Sequence, residues 1–81
     1  MAGQERISAE TRPAGTLRLV VNGETLELRA RTLALLLDEL GYGGQKVATA
    51  LNGAFVSEKA RGTQTLAPGD QIEIVAPRQG G

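Results

Sequence analysis

The chain has 81 residues, 41% of them hydrophobic, with nine Lys or Arg balancing nine Asp or Glu, enough for one domain but not for two cores. A single core of this size supplies only about 3–5 kcal/mol, which leaves little scope for a large substrate cavity and directs function to the surface or to a chain end. Balanced charge, two aromatic residues and no cysteine or histidine argue against a nucleic-acid or anionic-membrane footprint, disulfides, thiol or serine–histidine catalysis and the usual zinc sites.

Residues 1–15, MAGQERISAETRPAG, are polar and aperiodic and read as an arm ahead of the domain, which spans residues 16–76. From Thr16, Leu17, Leu19 and Val21 alternate with Arg18 and Val20, and Leu26 and Leu28 alternate with Glu27 and Arg29. Asn22-Gly23 between them tolerates the positive φ angles of a two-residue turn, so the segment is a β-hairpin. Leu33, Leu36, Leu37 and Leu40 then fall at i, i+3, i+4 and i+7 on one helical face, with Thr32 able to cap the first turn and Gly41 ending the helix. Leu35 lies off the stripe and is expected to be half-exposed.

KVATALNG reads as a strand whose inward register is open: Val47, Thr49 and Leu51 form one set, Ala48 and Ala50 the other. Asn52-Gly53 is a second turn, AFV a short extended piece, and residues 57–65 a polar loop without periodicity. After Leu66, Pro68-Gly69-Asp70 makes a turn from one residue with preset φ and one free to take positive φ. The final strand follows, with Ile72 and Ile74 on one side and Glu73 and Val75 on the other.

A hairpin, one helix and further strands define an α+β domain in which the helix lies across one face of the sheet and leaves the other to solvent. A right-handed crossover through the helix gives the ubiquitin-like β-grasp arrangement, a mixed sheet of four to five strands with one main helix across one face. The placement of the first and last strands as central neighbours is implied by that fold.

The ending APRQGG is the segment best suited to chemistry. Pro77 fixes φ and offers no N–H to a ladder, so it stops the last strand and sends residues 77–81 outward. At ~3.3–3.6 Å each, Pro77, Arg78, Gln79, Gly80 and Gly81 span at most ~17 Å, enough to enter another protein's active site. Two glycines without Cβ atoms pass a narrow channel and let a nucleotide approach the terminal carbonyl. The carboxylate of Gly81, with a reference pKa of ~3.3–3.7, is ionised and able to attack the α-phosphate of ATP once a second enzyme aligns them. Arg78 either pairs with an acidic groove of such a partner or is simply solvated. Glu24, Glu27, Asp38, Glu39, Asp70 and Glu73 show no pair held in a cleft and read as solvated surface charges, so the chain is not expected to be an enzyme. No apolar run has the length of a signal peptide or membrane helix, and a cytoplasmic location is expected.

From about Leu17 to Gly81, the segments VNGETLEL, VATALNGAFV and LAPGDQIEIVAPRQGG together resemble the sulfur carrier proteins of thiamine biosynthesis, the ThiS family. The resemblance implies that Gly81 is adenylated by an E1-like adenylyltransferase using ATP. It is then converted to a thiocarboxylate with sulfur from a donor protein, and that sulfur is delivered to thiazole synthase. Gly80 and Gly81 match the family's terminal pair; the chain itself is expected to bind no cofactor and no metal. Two features depart from the family: the arm at residues 1–15, and Ser57 where many members have proline after the Phe-Val pair. A thiocarboxylate lets a protein without cysteine carry nucleophilic sulfur, with the activating cysteine on the partner. Val20 and Val75, expected near the tail on the uncovered sheet face, are candidates for the docking patch.

Three other readings share parts of this pattern. The small subunit of molybdopterin synthase is another β-grasp thiocarboxylate carrier; the short helix, the compact spacing after it and PRQGG in place of a more apolar approach favour the thiamine carrier. A ubiquitin-like protein modifier would leave covalent conjugates through Gly81, and a ubiquitin-like interaction module would bind without Gly80 and Gly81.

Overall fold

A computed structural model describes residues 15–77. The expected arm, apart from Gly15, and the tail residues Arg78, Gln79, Gly80 and Gly81 lie outside the described residues.

The hairpin comprises β1 (Leu17–Val21) and β2 (Glu24–Leu28), paired antiparallel from Leu17↔Leu28 to Val21↔Glu24. Its turn is Asn22-Gly23, with φ of 51° and 84°, the double positive conformation of a type I′ turn. The same geometry, 50° and 86° at Asn52-Gly53, joins β3 (Ala48–Leu51) to β4 (Ala54–Val56). The last strand, β5 (Gln71–Val75), runs parallel to β1 and antiparallel to β3, giving the order β2-β1-β5-β3-β4. First and last strands are thus adjacent in the middle of a five-stranded mixed sheet, as the β-grasp arrangement requires.

Helix α1 (Leu33–Glu39) crosses one sheet face. Thr32 caps it, its hydroxyl accepting from the Leu35 N–H at 3.2 Å. At the other end the Tyr42 N–H donates to Leu37 O at 2.7 Å and the Gly41 N–H to Asp38 O at 3.1 Å, a Schellman closure with Gly41 at φ 89°. The leucine stripe behaves as read: Leu33, Leu36 and Leu37 are buried and Leu40 is partly buried, while Leu35 is 51% exposed. These leucines pack on Leu19, Val21, Leu28, Ile72 and Ile74, the inward residues of β1, β2 and β5.

The open register of β3 resolves toward Thr49, which is 1% exposed and the one buried polar residue among those described. Its hydroxyl donates to Val56 O at 2.8 Å and accepts from Arg61 Nε at 3.1 Å, so burial leaves no polar atom without a partner. The second terminal nitrogen of Arg61 donates to Val47 O at 2.6 Å.

Residues 57–65 are more structured than a polar loop. They contain a 3-10 turn at Glu58–Ala60, and Ala60 packs against the core. The carbonyls of Gln64 and Arg61 then accept from the first two N–H groups of α1, at Leu33 and Ala34. With the Thr32 cap, the first three N–H groups of the helix all have partners. A single 3-10 turn has no periodicity to read, which is why the composition of this segment suggests only a loop.

Candidate functional site: the tail root and the open sheet face

The uncovered face is built from the outward residues of the strands. Val75 lies opposite Ala48 in the β3–β5 pair, Glu73 opposite Ala50, and Ala50 opposite Phe55 in the β3–β4 pair. Phe55 is 72% exposed and Val75 is 64% exposed. Val75 and Ala48 lie at the end of the sheet from which the tail departs, and Phe55 and Ala50 lie one row in, level with Glu73. Val75 is two residues before Pro77, and Ala76 and Pro77 are both exposed.

Val20 shares this face but not this end. It is in register with Gln71, at the start of β5, and Val75 is four residues further on, roughly 13 Å along the strand at ~3.3 Å per residue. Val75 is therefore close to Pro77, whereas Val20, expected near the tail as well, lies at the opposite end of β5. The parallel pairing of β1 with β5 sets this offset, and alternation within either strand carries no information about it. Phe55 was not singled out from the sequence. Its signal was its placement in the two-residue alternation of AFV, opposite in phase to the inward Val56.

Pro77 and Ala76 line a shallow hollow with Gln45 and Lys46. A larger groove, about 610 Å³, lies between the end of α1 and the 3-10 turn and shares Gln45 and Lys46 with it. Asp38 and Glu58 face Lys46 and Arg61 around that groove, a balanced set of charges in which Arg61 already anchors β3.

Three other carboxylates are tied to the scaffold. Glu39 accepts from the Arg29 and Ala30 N–H groups at 2.9–3.1 Å, fastening the β2–α1 connection. Asp70 accepts from the Ala67 N–H and from Asn52 Nδ2. Glu27 pairs with Arg18 at 2.8 Å and accepts from the Thr16 hydroxyl. Among the described residues, no group of three or more acidic side chains has the arrangement of a metal site, and no helix is long and apolar enough to cross a membrane.

Both Asn-Gly turns do more than reverse the chain. Asn22 uses its carboxamide on Ile74, 52 residues away, donating Nδ2 to Ile74 O at 3.2 Å and accepting the Ile74 N–H at 2.8 Å. Asn52 accepts the Gln71 N–H at 2.8 Å through Oδ1 and donates its own N–H to Gln71 O at 2.7 Å. The sequence marks both residues as turn formers and gives no sign of these long-range bonds.

A helix across a five-stranded mixed sheet, with parallel first and last strands in the centre and the last strand followed by exposed Ala76 and Pro77, defines a ubiquitin-like β-grasp protein. The ThiS family model matches residues 14–81. The chain belongs to the ThiS family, the family to which its sequence motifs pointed. The crystal structure of the thiamine biosynthesis protein ThiS from Geobacter metallireducens is similar, with 26% identity and a TM-score of 0.67 over 80% of this chain and 100% of that one. No match is found among curated protein sequences.

Proposed function

We propose that the chain is the sulfur carrier for thiazole formation in thiamine biosynthesis, with Gly81 as the residue that carries the sulfur. In this reading an E1-like adenylyltransferase binds ATP, and an oxygen of the Gly81 carboxylate attacks the α-phosphate as pyrophosphate leaves. A sulfide-level sulfur from a donor protein then attacks the acyl carbon and displaces AMP, leaving a thiocarboxylate. Thiazole synthase takes the sulfur from there. ATP belongs to the activating partner, the carrier holds no cofactor or metal of its own, and the exchange takes place in the cytoplasm.

The observation that supports this reading is the family match running through residue 81 on a domain whose central strand ends at exposed Ala76 and Pro77. A tail rooted in the middle of a sheet starts from a fixed point, so its few residues search a small volume, and alignment of a carboxylate with a phosphate is worth several kcal/mol in rate. Gly80 and Gly81 make the final approach slim; Gln79 and Arg78 link them to Pro77. The test is the intact mass of the chain after incubation with ATP, a sulfide source and the cognate activating enzyme. Replacement of one oxygen by sulfur, located at Gly81, is expected; an unchanged mass under conditions where the enzyme is active refutes the reading.

The open face serves as the docking surface in this scheme, with Val75 at its tail end and Val20 at its far end. Val75→Asp places a charge beside Glu73 on this face and is expected to lower kcat/KM for activation about tenfold, the effect of losing a moderate interface anchor. Because Val75 is exposed, the melting temperature should hold. Val20→Asp, further from the tail, is expected to have the smaller effect. Equal activation of wild type and Val75→Asp would remove this face from the docking surface.

A further inference from the structure

Asn22 and Asn52 hold the same place in two turns of the same type, yet they grip opposite ends of β5. Along β5, the N–H and C=O groups of alternate residues point to opposite neighbours. Ile72 O accepts from the Asn22 N–H on the β1 side, and Ile74 points the same way. There, however, β1 has ended: it is in register with β5 only over Val20↔Gln71 and Val21↔Ile72. The Asn22 carboxamide supplies both partners that Ile74 would otherwise lack, at 2.8 and 3.2 Å. At the other end and on the other side, just beyond the end of β3, Asn52 holds Gln71 through one side-chain and one backbone bond: its Oδ1 accepts the Gln71 N–H and its own N–H donates to Gln71 O, while its Nδ2 goes to Asp70.

A type I′ turn asks only for positive φ at this position, and glycine provides it at least as well as asparagine. The carboxamide of Asn22 is therefore surplus to the turn. Of the two clamps, only this one sits at the tail root, since Ile74 is three residues before Pro77 and Gln71 is at the far end of the strand.

We infer that Asn22 is a positioning residue for the C-terminal tail: by holding both backbone groups of Ile74 it keeps the end of β5 in the sheet and fixes the direction in which the tail leaves. Without it, the backbone of the strand end would be hydrogen-bonded only along the β3 edge, through pairs such as Ala48↔Val75, and the residues beyond the buried Ile74 side chain would pivot about that edge. The consequence for sulfur loading rests on the carrier reading above. A domain that docks through its sheet face would still bind its activating enzyme but would present the terminal carboxylate over a wider volume, which lowers kcat more than it raises KM.

Asn22→Gly and Asn52→Gly in the full chain separate this role from general stability, since each keeps its turn, the first removing both bonds to Ile74 and the second the side-chain bond to the Gln71 N–H. In the wild-type protein the Ile74 amide is expected to be protected against hydrogen exchange. Asn22→Gly should accelerate its exchange roughly tenfold, the factor that goes with losing one hydrogen bond, and lower the NMR order parameters of Val75 and Ala76. Asn52→Gly should accelerate Gln71 instead and leave Ile74, Val75 and Ala76 as in wild type. With the activating enzyme and ATP, Asn22→Gly should lose several-fold in kcat with KM held within about twofold, and Asn52→Gly should match wild type. An unprotected Ile74 amide in the wild-type chain, or identical Ile74 exchange and Ala76 order in the two variants, overturns the inference whether or not activation is seen. A wild-type chain that is not adenylated at all refutes the carrier reading instead, and the exchange data still decide the clamp.

Discussion

Deletion of Gly80 and Gly81 is expected to abolish thiocarboxylate formation while leaving the thermal midpoint of the domain unchanged. The two halves of this expectation have separate physical causes. Among the described residues the last core member along the chain is Ile74, and Ala76 and Pro77 are exposed, so deletion of two glycines, which carry no side chains, is expected to uncover no buried apolar surface. In the proposed function, reactivity resides in a carboxylate at the end of a tail of fixed length, and a chain ending at Gln79 brings its carboxylate two residues short, about 7 Å at ~3.3–3.6 Å per residue. A misplacement of 1 Å can already cost on the order of a hundredfold in rate, so no measurable turnover should survive. Gly80→Val keeps the length and tests width alone: its branched Cβ is expected to slow adenylation by roughly that hundredfold with the melting curve unmoved. Intact mass and a thermal melt on the same samples read both quantities. A truncated chain that still gains sulfur would place the reacting group elsewhere on the molecule.

The parts of this design that can be read from sequence are those specified within a few residues. Asn22-Gly23 between two alternating runs fixes a hairpin because turn and strands are local, and the spacing of Leu33, Leu36, Leu37 and Leu40 fixes a helix face for the same reason. Ile72 and Ile74 announce their side of β5 by simple alternation. The register of β3 is different: Ala48 and Ala50 are small enough for either face, and Thr49 is buried with its hydroxyl satisfied by Val56 O and by the guanidinium of Arg61, twelve residues on. Hydrophobicity alone does not choose between a threonine with a distant partner and an alanine without one. The clamp of Asn22 on Ile74 is equally silent, since it spans 52 residues and its residue type is already accounted for by the turn. At the candidate site the same division holds. The slim ending is plain in the letters, its sulfur chemistry comes from family resemblance, and the separation of Val20 from Val75 depends on a parallel register that neither strand encodes by itself.

Leu36→Ala is expected to cost roughly 2–5 kcal/mol, the range for emptying a fully buried leucine site, and so to unfold a large fraction of the molecules. Leu36 is 0% exposed in a helix of only seven residues, far below the length at which a helix persists unaided. The helix therefore exists because its leucine face is covered by the sheet, and the inner face of the sheet is dry because the helix covers it. With about 3–5 kcal/mol available to a core of this size, one cavity of this kind consumes most of the margin. Leu35→Ala, one residue earlier and 51% exposed, should change stability by no more than about 0.5 kcal/mol, which makes it the matched control in urea titrations. The pair also tests how the carrier is recognised. Leu36→Ala leaves residues 77–81 intact, so if activation falls in proportion to the unfolded fraction while Leu35→Ala is activated normally, the partner is selecting the folded sheet and the tail together. Full activation of an unfolded Leu36→Ala chain would mean instead that the tail alone is the substrate, and that the open face and the Asn22 clamp contribute nothing to loading.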